Sequence, residues 1–207
     1  MKKIYVLMLL CAIGLTVSAQ KYWYPKFGIT SATLTYGDDN VSKSSVSGLV
    51  GGIGYYSGDF LALNSEFLYI QKGAKVESGE DYMQLKTGYL EIPLMLRLTI
   101  GPDAFKVFAV AGGYAAFWLH GTQESKISGE IVSESYEFSD VDNRFDFGLT
   151  FGAGGMINLG KGNLMAEIRY DMGLSDIVKW PDGEPDGWKS VKNHCLYVTL
   201  GFVMPID

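Results

Sequence analysis

Eight charged side chains fall at positions that a strand pattern turns to one side: Glu66, Glu91, Arg97, Arg144, Asp146, Glu167, Arg169 and Asp171. Carboxylates and guanidiniums on a shared interior must pair, because an unpaired buried ion costs several kcal/mol. If the third and fourth strand-like runs pair symmetrically about their connection, Glu66 lies opposite Glu91. Arg169 or Arg97 then supplies a forked cation between the two carboxylates. The set is expected to be a structural charge network first, and a proton or ion path second.

The chain has two histidines, His120 and His194. Both stand where a strand-like run meets a long polar segment, near serines such as Ser125 and Ser190. A His, a hydroxyl and a carboxylate at such a rim could support hydrolase or acyltransferase chemistry, but a triad is recognised by geometry and no spacing motif marks one here. Asp140-Val141-Asp142-Asn143 resembles the opening of a calcium loop, yet lacks the glycine and the closing Glu at their required offsets. Asp182-Gly183-Glu184-Pro185-Asp186-Gly187 reads as turns. Both segments are expected to be solvated loops. Trp180 and Trp188 flank the second, as anchors at a membrane boundary or as a binding rim. Gly152-Ala153-Gly154-Gly155 is no dinucleotide fingerprint, since Ile157 occupies the third glycine position and no helix follows. No cofactor or metal motif is found.

The elements that would position these groups are strands. Between Tyr89 and Ile100, Leu90, Ile92, Leu94, Leu96, Leu98 and Ile100 share one face, and Tyr89, Glu91, Pro93, Met95, Arg97 and Thr99 share the other. Twelve residues at ~3.3 Å each span roughly 40 Å, or about 30 Å along the normal when tilted, which matches a bilayer's hydrocarbon core. Eight such runs can be drawn: Lys26 to Tyr36, Val46 to Tyr56, Phe60 to Lys72, Leu85 to Ile100, Lys106 to His120, Arg144 to Asn158, Asn163 to Met172 and His194 to Met204. Gly37 to Ser45, Gly73 to Gln84, Gly121 to Asn143 and Gly173 to Asn193 are long polar connections. They alternate strictly with the short turns Ser57 to Asp59, Gly101 to Phe105 and Leu159 to Gly162. An up-and-down transmembrane barrel has this alternation of short and long connections. Pro93 cannot donate to a ladder, so a bulge or a broken bond is expected beside it.

The N-terminus has the order of a secretory signal peptide: Lys2 and Lys3, an apolar run from Ile4 to Val17, then Val17-Ser18-Ala19 before Gln20. Residues 1–19 are therefore expected to be removed and 20–207 to form one domain. Loss of the two lysines takes the formal charge from −6 to −8. An acidic exported chain without a Lys/Arg cluster is a poor nucleic-acid binder. Only Cys195 remains after cleavage, so no internal disulfide is available. Beyond the leader no apolar stretch approaches the ~20 residues of a membrane helix.

Several motifs carry a family resemblance. Tyr89-Leu90-Glu91-Ile92-Pro93-Leu94, Glu66-Phe67-Leu68-Tyr69-Ile70-Gln71-Lys72-Gly73, Phe147-Gly148-Leu149-Thr150-Phe151-Gly152-Ala153-Gly154 and Ala166-Glu167-Ile168-Arg169-Tyr170 resemble, in order and spacing, the PorT-like outer-membrane β-barrel proteins of Bacteroidota. The resemblance covers nearly the whole mature chain. It implies a Gram-negative outer-membrane barrel; a few members of the family are linked to secretion and gliding machinery.

The expected fold is an all-β, eight-stranded antiparallel up-and-down transmembrane barrel. The expected role is structural or interaction-based rather than enzymatic, with the charge network filling the bore. Its partners are outer-membrane lipid and a surface glycan or protein met by the outward loops. A lipid-modifying enzyme is the alternative. A third reading is a soluble periplasmic barrel whose aliphatic faces point inward to an apolar ligand.

Overall fold

A computed structural model describes residues 20–35, 43–180, 183, 185 and 187–206. The expected leader, 1–19, lies outside them. Among the described residues ten strands form one antiparallel sheet: β1 (Lys21–Thr35), β2 (Lys43–Ser44), β3 (Val46–Ser57), β4 (Leu61–Ser78), β5 (Asp81–Ile100), β6 (Phe105–Ile127), β7 (Glu130–Ser135), β8 (Phe145–Asn158), β9 (Asn163–Gly173) and β10 (Lys192–Ile206). Pairing runs β1-β3-β4-β5-β6-β8-β9-β10 and closes when β10 pairs β1. The ring is an eight-stranded barrel, with the short β2 and β7 attached to β4 and β6 at the long-loop end.

Alternation decides which face lies inside. Ile92, Leu94, Leu96 and Leu98 point outward and are 45–54% exposed, whereas Glu91 and Arg97 between them are 0% and 1% exposed. Phe145, Phe147, Leu149 and Phe151 on β8, and Leu196, Val198 and Leu200 on β10, continue the outer apolar band. Charges inside and aliphatics outside is the arrangement of a barrel in lipid. It contradicts the soluble reading with aliphatic faces around a ligand.

Three strands run far beyond the length that a bilayer crossing needs. β4, β5 and β6 have 18, 20 and 23 residues, about twice the ~9–11 that cross a bilayer. The expected loop Gly73–Gln84 is mostly strand, with Ser78 paired to Asp81 around a tight turn. The expected loop Gly121–Asn143 likewise contains the upper end of β6 and all of β7.

Proline leaves its mark without shifting register. Pro93 faces Tyr114 of β6 in an unbroken ladder, but on the β4 side pairing skips from Ser65↔Leu94 to Leu68↔Glu91. Pro25 makes an equivalent gap on the β10 side, between Trp23↔Met204 and Lys26↔Gly201. The expected break is present, but the bulge is elsewhere. It lies where Gly88↔His120 gives way to Tyr89↔Trp118, which leaves Leu119 as the extra residue. This bulge keeps Trp118 buried while His120 is exposed.

Small residues make room inside. A side chain at Gly54 would run into the Tyr24 ring, and one at Gly152 would press on Val110 and the Arg169 stem. A bore of eight strands is just wide enough for side chains to fill. Large buried groups therefore need a neighbour without a side chain.

Candidate charge network in the barrel interior

The expected set separates into four places. The first is a neutral tetrad across the bore. Arg169 of β9 forks onto Glu66 of β4, with Nη1–Oε2 at 2.7 Å and Nη2–Oε1 at 2.9 Å. The same guanidinium donates to Glu167 Oε1 from Nη2 at 2.6 Å and from Nε at 3.2 Å. Lys26 of β1 bridges the two carboxylates from the other side, at 2.8 Å from Glu66 and 3.0 Å from Glu167. The Tyr24 hydroxyl donates to Glu66 Oε1 at 2.5 Å. Two cations and two anions, all buried, satisfy one another with charge-assisted bonds.

The second place lies toward the long-loop end. Lys72 Nζ stands 2.9 Å from Glu91 and 3.3 Å from Asp146, and 4.3 Å from the centre of the Tyr114 ring. Asp146 also accepts from Ser175 Oγ at 2.7 Å and Asn193 Nδ2 at 3.1 Å. Asp171 is buried here too, yet neither of its oxygens has a hydrogen-bond partner among the described residues. Thr150 Oγ1 and Tyr197 Oη share that condition. Pairing sets Asp171 between Thr150 of β8 and Cys195 of β10, a buried free thiol. One ammonium among three carboxylates leaves a surplus of negative charge.

Arg97 occupies the third place, near the short-turn end. Contrary to expectation, no carboxylate among the described residues meets it. Its guanidinium donates to Thr99 Oγ1 at 3.3 Å and to the Met156 sulfur at 3.1 Å, and lies 3.7 Å from the Phe108 ring centre and 4.5 Å from that of Tyr56. Aromatic faces and soft sulfur cradle the charge.

Arg144 is the fourth, and it is not in the bore. It precedes β8 at the rim, donates from Nε and Nη2 to the Trp118 carbonyl at 3.0 and 2.9 Å, and lies over the Phe117 and Phe138 rings. The residue stands just before the first residue of β8, so barrel alternation does not govern its direction. The expected Glu66–Glu91 opposition also fails: Leu68 faces Glu91, because the β4–β5 turn is centred one residue beyond the symmetric guess.

Two network cations, Lys26 and Lys72, were not among the expected residues. Lys72 shares parity with Glu66 and was readable as inward; it sits where the run meets the polar segment. Lys26 lies in a run whose two faces, Tyr24-Lys26-Gly28-Thr30 and Trp23-Pro25-Phe27-Ile29, both carry aromatic or small residues.

The histidines lie on the outer wall. His120 Nε2 is 3.0 Å from Tyr69 Oη, and His194 Nδ1 is 2.7 Å from Tyr170 Oη; the tautomer sets which atom donates. Ser190 bonds Asp176 instead.

The acidic loops are more ordered than a solvated reading implies. Asp142 is 9% exposed and accepts from Tyr136 Oη at 2.9 Å and the Ser139 N–H at 2.7 Å. Burial and that bond to Asp142 push the Tyr136 phenol up to about 12. Asp176 accepts from Trp188 Nε1 at 2.9 Å and from the N–H groups of Val178 and Val191. Burial raises the Asp176 carboxyl, but these donors and Ser190 outweigh it and hold the group below its ordinary range. The two loops join at an isolated bridge, Asp142↔Val178. Trp188, like Ile177, packs against the cluster of Leu34, Ala74 and Val191, so it is part of a core beneath the loops rather than a membrane anchor. Trp180 meets its ring edge-on at 5.1 Å.

A family model described as "outer membrane protein beta-barrel domain" matches residues 18–179. Among solved structures, the outer membrane protein OprG from Pseudomonas aeruginosa is similar at 13% identity and a TM-score of 0.57, over 91% of this chain and 97% of that one. Ail, the attachment invasion locus protein of Yersinia pestis, is also similar at 13% identity, with a TM-score of 0.43 over 89% and 99% of the two chains. No curated protein matches.

Proposed function

The chain belongs to the outer membrane protein beta-barrel domain family, and we propose that within the outer membrane it acts as a closed barrel whose work is done by its surface. The observation that carries this reading is the tetrad Lys26–Glu66–Glu167–Arg169, which ties β1, β4 and β9 together across the middle of the bore. Side chains paired this tightly leave the interior as a plug rather than a path. Open porins need about sixteen strands. The short turns then face the periplasm and the long loops face outward. The role is structural or one of interaction with a surface glycan or a protein, and it is not catalytic. The PorT-like resemblance of the four motifs supports extending the proposal to a barrel of Bacteroidota with a cleaved leader.

One experiment addresses location and catalysis together. With Cys195 buried, a Glu130→Cys variant offers a single reactive site on the β7 hairpin. A membrane-impermeant maleimide should label it on intact cells, and lipid A mass spectra should be identical with and without the chain. Labelling only after the membrane is disrupted would contradict the surface role. A changed acylation pattern lost in His120→Ala and His194→Ala variants would instead support a lipid-modifying enzyme.

A further inference from the structure

Beyond the apolar band β6 exchanges one partner for another. Phe105–Phe117 pairs β8, whereas Thr122–Ile127 pairs β7. The sheet β2-β4-β5-β6-β7 therefore projects past the barrel mouth, and β7 is its last strand. All six residues from Glu130 to Ser135 are exposed, and among the described strands only β6 pairs with them.

The direction of the free backbone groups follows from one bond. The Tyr136 N–H donates to the Gly121 carbonyl at 3.0 Å. The register carries the same parity to Glu134↔Gln123, Val132↔Ser125 and Glu130↔Ile127. In an antiparallel pair a residue turns its N–H and C=O to the same side, and successive residues alternate. Ile131, Ser133 and Ser135 thus aim their donors and acceptors at the open edge.

Edges of this kind are normally blunted by short length, charged side chains (lysine above all), proline, bulges or a covering segment. β7 is short and its charges are Glu130 and Glu134, which repel acidic strands and admit basic ones. β7 contains no proline or basic residue, and its register with β6 is unbroken. The hairpin is also preset. Ser128 at φ 53° and Gly129 at φ 90° supply the two left-handed residues of a tight turn. On one face of β7, Val132 is flanked by Glu130 and Glu134. It extends a cross-strand row of Val76, Met83 and Ser125 in which both apolar residues are exposed.

We propose that β7 is a docking edge for an extended basic polypeptide segment, which adds to it as an antiparallel strand. An apolar residue of that segment lies against Val132, and a Lys or Arg two residues to either side lies against Glu130 and Glu134. Main-chain bonds to Ile131, Ser133 and Ser135 hold the strand, and the cross-strand charge pairs select it. A second copy of this chain is a poor occupant, because β7 brings no cation to meet its own glutamates. The proposal rests on the surface role argued above and names the partner class for it.

The probe is a labelled synthetic peptide, acetyl-Thr-Lys-Thr-Val-Thr-Lys-Thr-amide, titrated against the full chain folded in detergent. Saturable binding is expected. Ser133→Pro removes an edge donor without touching the β6 bonds, and should weaken binding by about tenfold or more. Paired Glu130→Lys and Glu134→Lys changes should reverse the preference toward a peptide with Glu in place of Lys. Heat-dependent gel mobility verifies that each variant is folded. No binding, binding unaffected by Ser133→Pro, or a preference unmoved by the charge reversal would overturn the docking edge. Labelling of Glu130→Cys on intact cells separates the two failures. If labelling succeeds and the peptide fails, the surface role stands and the edge does not; if labelling fails, the surface role falls with it.

Discussion

Arg169 and Arg97 are both buried guanidiniums in the same bore, and their surroundings predict opposite responses to mutation. Arg169 meets two carboxylates with four hydrogen bonds. Arg169→Ala leaves Glu66 and Glu167 with Lys26 as their one remaining cation among the described residues, and should cost about 3–5 kcal/mol in reversible unfolding from detergent or lipid. Arg97 meets rings and sulfurs, so Arg97→Met replaces it with a side chain that its neighbours already suit. A change within about 1.5 kcal/mol is expected. Asp171→Asn removes a buried carboxylate without a partner among the described residues, and should raise stability rather than lower it. Equal losses in Arg169→Ala and Arg97→Met would contradict the division of the interior into paired and unpaired charges. The anions of the network were legible because they take the inward positions of an alternation, as Glu91 does between the outward Leu90 and Ile92. Lys26 was not, because β1 carries aromatics on both faces near its start and alternation there has no contrast.

The eight barrel strands were legible, but their lengths and the short β2 and β7 were not, for a reason visible at the β4–β5 hairpin. Within lipid the outward positions must be apolar, so Leu90 to Ile100 announces itself. Above the lipid both faces of the same strands meet water or loops, and Lys75-Val76-Glu77 reads like a connection although it is paired throughout. Pro93 shows the converse: its type forecast a broken ladder, while the bulge arose at Gly88/Tyr89 where no residue type forecast it. Pro93→Ala restores a donor facing β4 and should raise stability by up to about 1 kcal/mol, the net worth of one hydrogen bond. Unchanged unfolding would mean the gap is set by something other than the missing N–H. The loop around Trp188 yields a pH prediction. Asp176 has a lowered pKa when folded, so its contribution is fully present above the unfolded value of about 3.9 and is lost as pH falls through the folded value. Tryptophan emission should therefore report an acid transition below that unfolded value. The Asp176→Asn variant should lack it.

At the level of the whole molecule, the sequence left one inversion open: alternation alone does not say whether lipid lies outside or a ligand inside. The outward turn of Ile92, Leu94, Leu96 and Leu98 closes that question in favour of lipid. A filled bore was expected, but the partners that fill it could not be read in advance, because they lie 103 and 141 positions apart. Register and closure, not local pattern, bring Arg169 to Glu66 and Lys26 to Glu167. The molecule that results carries a paired charge network across its bore and is extended at one end by a sheet whose last strand, β7, pairs only β6 among the described residues. Electrical recording across planar bilayers tests the sealed interior most directly, using protein whose gel mobility verifies folding. Bilayers holding the wild-type chain should conduct no more than bare lipid. Reproducible stepwise conductance from the wild-type chain under the same conditions would contradict a bore closed by the Lys26–Glu66–Glu167–Arg169 tetrad.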